Sequence, residues 1–539
     1  MEYDKSMSEN KINSFFNLKN LPKLAIVIVL LFYCLTNFTH RNWSGIEGPQ
    51  RGVIKWDIIS YYAYLPAVFI HHDISLEFTD GTNLREDGKF WYQETQNGNK
   101  VIMTTMGMSF LYAPFFLAAH ILAPVFGQAR DGFQSIYQFF LVFSALFYLA
   151  IGLYSLRKLL SRFFPPGITA VTLLLLGLGT NLYYFSTYEA AQTHSYSFAL
   201  VSVLFLLVLK WYEKPDWKHS LLSGFLFGLI VLVRPTNIIL IIPIAFIGLA
   251  NPEDLRSRLK LIQIHIPLIL VFILAFAIVW FPQIYYWKTF TGMFIYNSFP
   301  GAGSGYHFCN PHILDFLISY RKGWFVYTPI MFLAVSGFIP LYRMYRGLFY
   351  PLVAYSVIMV YVLSSWWSWW YGGGYGMRPM IDAYPLMAIP LGALITQAGK
   401  FSLSARIMIG LAMTFLIFLN IFQTYQYNSV LIHWNSMTKK SYWTIFLRSK
   451  DRYGYWQNLT GPDLELARKG IYVYYPLIGK NERLMEMNEE EGREYVLYNL
   501  RKDRGLIRDI KRYAGRTDTD RLETLDMVAD RAYRRLTEE

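Results

Sequence analysis

The chain has 539 residues, 54% apolar and 16% charged, where ordinary soluble domains run at about 45–50% and about 25%. That balance excludes a water-soluble globular enzyme and marks a membrane class. The formal charge of +13 does not mark a nucleic-acid binder: from Asn435 onward 21 Lys and Arg face 18 Asp and Glu, so ten of the excess positives lie in the membrane part, largely in short loops.

Apolar runs of the length that crosses a bilayer, about 17–25 residues, recur along the first 425 residues. The first, Leu24 to Thr39, lacks a small-residue cleavage site and reads as an uncleaved span. Spans are predicted over 24–40, 133–155, 168–186, 194–211, 219–233, 236–250, 262–286, 326–342, 348–366, 379–397 and 404–424, eleven in all. The short pair 219–233 and 236–250 turns at "VRPTN", because Pro235 cannot continue the helix. "GMSFLYAPFFLAAHILAPVFG" (Gly107–Gly127) is nearly long enough to span, but Pro114 and Pro124 interrupt it. Reading it as a half-buried outer helix places the basic loop "LRKLLSR" (Leu156–Arg162) inside.

That choice gives one consistent orientation. The inner segments then hold 17 Lys and Arg, whereas the outer loops after residue 186 and before the tail hold only Arg234, Lys288, Arg321, Lys322 and Arg378. This is the positive-inside bias. The expected organisation is an inner N-terminal segment (1–23), an all-α polytopic domain (24–425) with a large first outer loop (41–132), and a soluble C-terminal domain (426–539), also on the outer side. In the tail, the charged run "GREYVLYNLRKDRGLIRDIKRY" reads as helical. Two cysteines, Cys34 and Cys309, show neither metal-ligand spacing nor a disulfide framework.

Almost every chemically interesting residue falls on the outer face. In "GVIKWDIISYYAYLPAVFI" (Gly52–Ile70), helical spacing starts at Ile58, predicting a surface helix with Asp57 just before it. Asp57 is either an N-cap for that helix or a carboxylate placed to take a proton from an acceptor hydroxyl; both roles are compatible. Glu189 and His194 bracket a short loop in "STYEAAQTHSYSF", where a lone histidine is more often structural than catalytic. Arg234 ends a span before Pro235 and either snorkels to headgroups or joins the other outer-face groups. Arg321 and Lys322 in "ISYRKGWFVYTP" suit lipid phosphates in general or the phosphate of a lipid substrate. The stretch "WWSWWYGGGYGMRP" (Trp366–Pro379) combines interface-loving tryptophans with three glycines, which allow close backbone approach and positive φ, and Arg378, whose planar fork suits phosphate oxygens. An aromatic belt with a snorkelling arginine does not require the glycines, so this stretch is read as a phosphate-binding loop at the membrane boundary. "HHD" (His71–Asp73) specifies no metal geometry, and no nucleotide-binding fingerprint is present.

Taken in order, "WDIISYYAYLPA", "MGMSFLYAPFF", "THSYSF", "LVRPTN", "RKGWFVYTP" and "WWSWWYGGGYGMRP" resemble the GT-C superfamily of polytopic glycosyltransferases, which includes protein O-mannosyltransferases, aminoarabinose transferases and oligosaccharyltransferases. The resemblance covers roughly residues 24–425 and implies a GT-C-like bundle that transfers a sugar from a polyprenyl-phosphate donor at the outer face. It implies that Asp57 is the base or acceptor-orienting carboxylate, with Glu189 the candidate for a second one. Arg378, Arg234, Arg321, Lys322 and His194 would bind the donor phosphate, and Tyr61, Tyr62, Trp370, Gly373 and Tyr375 would line the substrate. The O-mannosyltransferases carry adjacent Asp-Glu in the first loop; here Ile58 follows Asp57, which leaves acceptor type and metal dependence open, and no clear ligand set for a divalent metal is visible.

Two other functions compete. An oligosaccharyltransferase would move a preassembled glycan from a lipid diphosphate to protein, with the tail presenting the acceptor. A lipid-linked sugar flippase would place ionisable groups at mid-membrane, with repeat symmetry, whereas here charges cluster at one boundary and no repeat is evident. The expected partners are the lipid-linked donor, a lipid, glycan or protein acceptor and membrane lipids, with no nucleic acid. The expected location is a bacterial inner membrane with the active face in the periplasm.

Overall fold

The structure is a computed structural model that describes residues 18–44, 52–297, 305–452, 454–477 and 482–537. The inner segment's Lys5 and Lys11, and part of the first loop (45–51), lie outside the described residues. The chain is mostly helical and divides into two compact units. The first comprises Met1–Pro300, Thr328–Val357 and Pro379–Ile421; the second comprises Gly301–Tyr327, Ile358–Arg378 and Phe422–Glu539.

Among the described residues, eight helices are long and apolar enough to cross a membrane, and shorter apolar helices accompany them. The protein is therefore a multi-pass membrane protein. Its main membrane helices are α1 (Leu21–His40), α3 (Gly107–Leu122), α4 (Ser135–Leu160), α5 (Pro166–Leu178), α6 (Thr193–Glu213), α7 (Trp217–Val233), α9 (Ile266–Thr291), α10 (Arg346–Ser364), α11 (Tyr384–Ala398) and α12 (Leu403–Asn428). Helices α2 (Asp57–Phe69) and α8 (Pro252–Ile264) lie between them in the chain. Gly107–Phe126, expected as a half-buried outer helix, forms a continuous stretch of 20 helical residues, enough by length and composition to span. Pro114 is tolerated inside it.

Helix starts follow the chemistry of their ends. Asp216 caps α7 by accepting from the His219 N–H at 2.8 Å, and Asn251 and Asp254 form a capping box on α8. In the first unit α1 packs on α5, α4 on α6, and α7 on α9. Small residues permit these approaches: a Cβ on Gly224 of α7 would lie 2.2 Å from the Phe272 carbonyl oxygen of α9.

Several predicted spans are shorter or broken. The segment 168–186 ends at Leu178, and the freed carbonyls of Leu178 and Thr180 each accept from Asn420 Nδ2 at 2.9 Å. The segment 326–342 becomes Ile330–Ser336 and Phe338–Met344; Pro340 has no N–H to offer the carbonyl of Ser336. The segment 236–250 becomes a 3-10 turn, Pro235–Leu240, and a short helix, Ile241–Phe246.

The second unit joins the tail to two loops from the membrane part. Its core gathers Leu466, Ile471, Val473, Leu506, Ile510, Leu525 and Val528, next to a two-stranded antiparallel ribbon of Thr460–Pro462 and Tyr474–Pro476. The charged run predicted as helical is two helices, α13 (Glu489–Lys502) and α14 (Arg504–Thr517), followed by α15 (Arg521–Thr537). The break falls at Asp503, whose carboxylate caps α14 by accepting from Gly505 and Leu506 N–H at 2.9 and 3.1 Å.

Candidate functional site

In the first unit three helix ends meet around one buried carboxylate. Pro235 forces the residue before it into extended backbone, and Arg234 accordingly has φ −147° and ψ 106°, closing α7. His194 is the second residue of α6. Asp382 lies in the 3-10 turn Arg378–Ala383 that leads into α11, two residues before that helix begins. Arg234 Nη1 lies 3.5 Å from Asp382 Oδ2 and 3.3 Å from His194 Nδ1, while His194 Nδ1 lies 3.6 Å from Asp382 Oδ1. Asn237, in the turn after Pro235, donates from Nδ2 to Asp382 Oδ2 at 2.8 Å.

The burial is graded. The Asp382 side chain is 0% exposed, His194 3% and Arg234 16%, so only the arginine reaches toward solvent or lipid. A carboxylate is costly to bury without partners; here the guanidinium, the Asn237 amide and the adjacent start of α11 offset that cost. Asp382 Oδ1, Asn237 Oδ1 and the buried Tyr355 hydroxyl have no hydrogen-bond partner among the described residues. Chemically, the cluster is a fixed cation with one side anchored and a polar interior behind it.

Asp57 is the first residue of α2, and Trp56 is the residue preceding the helix. Trp56 has φ 52° and ψ −136°, a conformation a non-glycine residue adopts at a cost of about 1–3 kcal/mol. The bonds that hold this turn include Val53 N–H to Gln138 Oε1 at 2.6 Å, Lys55 N–H to the Val53 carbonyl at 3.0 Å, Ile58 N–H to the Lys55 carbonyl at 3.1 Å, and Ile59 N–H to the Trp56 carbonyl at 3.0 Å. Asp57 is half-buried at the head of the helix, where its charge is favoured by the helix dipole. On the same helix Tyr61 is half-exposed, whereas Tyr62 is 1% exposed, packs among Phe116 and Phe133 and donates to the Gly132 carbonyl. Glu189 is half-buried and accepts from the Tyr184 hydroxyl at 3.2 Å. The structure thus brings His194 and Arg234 together and adds Asp382 and Asn237, which the sequence reading did not single out. The available signal was one carboxylate, Asp382, in an otherwise apolar predicted span.

In the second unit the remaining sequence candidates are built around the glycine loop. Gly372, Gly374 and Gly376 have φ of 61°, 126° and 62°, a region that favours glycine, and Tyr371 shares it at 56°; Gly373 has no such φ and lies 3.8 Å, by a would-be Cβ, from the Trp434 ring. Lys322 is buried and donates from Nζ to the Gly374 carbonyl, and the Gly374 N–H donates to the Tyr427 hydroxyl at 2.8 Å. Tyr375 is fully buried and donates to Gln423 Oε1 at 3.2 Å, and Trp370 is 1% exposed. Arg321 is committed to the C-terminal segment: it donates to the carbonyls of Asn435 and Thr460 and lies 4.3 Å over the Tyr474 ring. Arg378 is half-buried at the end of the loop, its N–H on the Gly376 carbonyl at 3.1 Å. The positive surroundings leave a mark on His433, pushed down to about 4 by burial and by the nearby charges of Lys322 and Arg321.

Among the described residues no group of three or more His, Cys, Asp or Glu side chains is placed to hold a metal ion. His71 stacks on Phe78 at 3.8 Å, and Asp73 accepts from the Ser75 N–H at 2.8 Å, so both serve the local turn.

Residues 111–280 match the family described as dolichyl-phosphate-mannose-protein mannosyltransferase. That segment carries the ends of α6 and α7, with His194, Arg234 and Asn237. No curated protein sequence matches the chain. Among solved structures, the apo oligosaccharyltransferase of Archaeoglobus fulgidus matches with 14% identity and a TM-score of 0.45 over 79% of this chain. The chain spans 58% of the length of that protein.

Proposed function

We propose, from the match of residues 111–280 to the dolichyl-phosphate-mannose-protein mannosyltransferase family, that the protein transfers a sugar from a polyprenyl-phosphate donor, of the dolichyl-phosphate-mannose type, to an acceptor hydroxyl at the outer, periplasmic face of a bacterial inner membrane. The observation that carries this reading is Arg234: a guanidinium fixed at a helix break, anchored on one side and reachable on the other.

In the proposed reaction the acceptor oxygen attacks the anomeric carbon while the bond from that carbon to the phosphate oxygen breaks. The bonding electron pair leaves with the lipid phosphate, and the acceptor's proton passes to the Asp57 carboxylate. Arg234 stabilises the charge on the departing phosphate, a term worth on the order of 3 kcal/mol for one well-placed donor. His194 packs against Arg234 and limits its movement. Glu189 is the candidate second carboxylate for the acceptor. In the second unit, taken by itself, Arg378 and the glycine loop suit phosphate oxygens by their chemistry.

The test supplies purified protein in nanodiscs with radiolabelled polyprenyl-phosphate sugars and an envelope extract. Wild type should move label to an acceptor; Asp57→Asn, with an unchanged melting temperature, should not. Equal transfer by both would remove Asp57 from the chemistry.

A further inference from the structure

We propose that Asp382, backed by Asn237, is a positioning residue that pins one edge of the Arg234 guanidinium and thereby presents its other edge to the donor's phosphate. This rests on reading Arg234 as a phosphate ligand.

The geometry divides the guanidinium in two. Nη1 faces Asp382 Oδ2 at 3.5 Å and His194 Nδ1 at 3.3 Å. Nε and Nη2 have no hydrogen-bond or ion-pair partner among the described residues. Those two donors form one edge of the planar fork, the edge that meets two oxygens of a phosphate in parallel. A single arginine at a span end has long rotatable bonds and would otherwise sample headgroups and water. Anchoring Nη1 removes that freedom before the ligand arrives, which is how a positioning residue raises affinity without touching the ligand.

Asp382 is suited to this work and to little else. It is fully buried, so it does not compete directly with an anion for the exposed edge. Its Oδ2 is itself held by Asn237 Nδ2 at 2.8 Å. Asn237 follows Pro235 by two residues, so the same helix break that ends α7 at Arg234 also delivers the amide that orients its carboxylate. Among the described residues of the first unit, Asp382 is the only buried acid.

The test measures binding of a C55 polyprenyl monophosphate, with the C55 polyprenol as control, to the full chain in nanodiscs. The variants are Arg234→Gln, Asp382→Asn, Asp382→Glu, Asn237→Ser and the double Arg234→Gln/Asp382→Asn. Asp382→Asn is expected to weaken the phosphate by about tenfold and leave the polyprenol unchanged, with Asp382→Glu recovering part of the loss. Because Asp382 acts through Arg234, the double variant should bind no more weakly than Arg234→Gln alone. A purely structural role would lower binding of both lipids and would multiply with Arg234→Gln; either result overturns the proposal. Should Asp382→Asn fail to fold, Asp382→Glu and Asn237→Ser carry the test: each is expected to weaken the phosphate several-fold, and wild-type affinity in both overturns it. If wild type itself does not prefer the phosphate to the alcohol, the phosphate reading of Arg234 fails, and this proposal with it. If wild type prefers the phosphate and Arg234→Gln loses that preference while the Asp382 and Asn237 variants keep it, only the positioning role fails.

Discussion

At the scale of single residues, the account rests on groups whose surroundings restrict them to one task. Asp57 sits at a helix start behind a tryptophan in left-handed backbone. General-base assistance contributes about 10²–10⁴-fold, so Asp57→Asn should lower the transfer rate by that order with little change in donor KM, as measured by initial rates over a range of donor concentrations. His433 makes a different prediction, about stability. Burial and the nearby cations push it from 6.5 to about 4, so between those values the unfolded chain binds more proton than the folded one. Its contribution is complete above about pH 6.5 and is lost as pH falls toward 4, on the order of 2 kcal/mol. Melting curves from pH 7.5 to 4.5 should show this fall, and His433→Gln should flatten it. What the sequence could not convey at this scale is which side of a residue faces inward. Tyr61 and Tyr62 are adjacent and chemically alike, yet one is half-exposed and the other is packed under Phe116 and Phe133. Asp382 went unread because one acid at the start of an apolar run looks like a boundary residue until its partners, 145 and 188 positions away for Asn237 and His194, are seen beside it.

At the scale of elements, the prolines and caps decide where the site forms. The turn at "VRPTN" was legible because Pro235 offers no N–H to the helix ladder and drives Arg234 before it into extended backbone. Less legible was the break at Leu178, since apolar periodicity continues through it and its freed carbonyl depends on a distant partner, Asn420, whereas the break after Ser336 has a local signal in Pro340. Pro235→Ala tests the element argument. It lets α7 continue through Arg234 and turns the guanidinium away from Asp382, so it should reduce transfer, assayed below the melting point, by at least about tenfold and lower the melting temperature, because the buried carboxylate loses its cation. Unchanged activity would show that the helix break does not place Arg234. In the second unit, Val528→Ala removes a fully buried side chain from the core and should cost about 1–3 kcal/mol, read as a lowered melting temperature.

At the scale of the whole molecule, composition and hydropathy established the membrane class, and the order of the outer-face stretches pointed to the superfamily that the match over 111–280 supports. The second unit was not legible as such: the tail's charge run suggested a separate appendage, but nothing local in Gly301–Tyr327 or Ile358–Arg378 shows that they fold with it. Such assembly depends on contacts far apart in sequence. The orientation has a built-in probe. Cys309 is exposed and lies in a loop expected outside, while Cys34 lies within α1. A membrane-impermeant maleimide should label wild type at Cys309 in spheroplasts without permeabilisation, and Cys309→Ser should abolish that labelling. Labelling only after permeabilisation would invert the topology.

The central claim is that the sugar–phosphate bond of a lipid donor breaks on this protein with the help of Arg234. Its most direct measurement follows a doubly labelled polyprenyl-phosphate sugar in proteoliposomes that hold the purified protein and an envelope extract. The account predicts that the sugar label leaves for an acceptor and free polyprenyl phosphate accumulates with wild type, about a hundredfold less with Arg234→Gln. Intact donor crossing the bilayer with its sugar still attached, at equal rates for both proteins, would contradict it and make the protein a carrier of lipid-linked sugar.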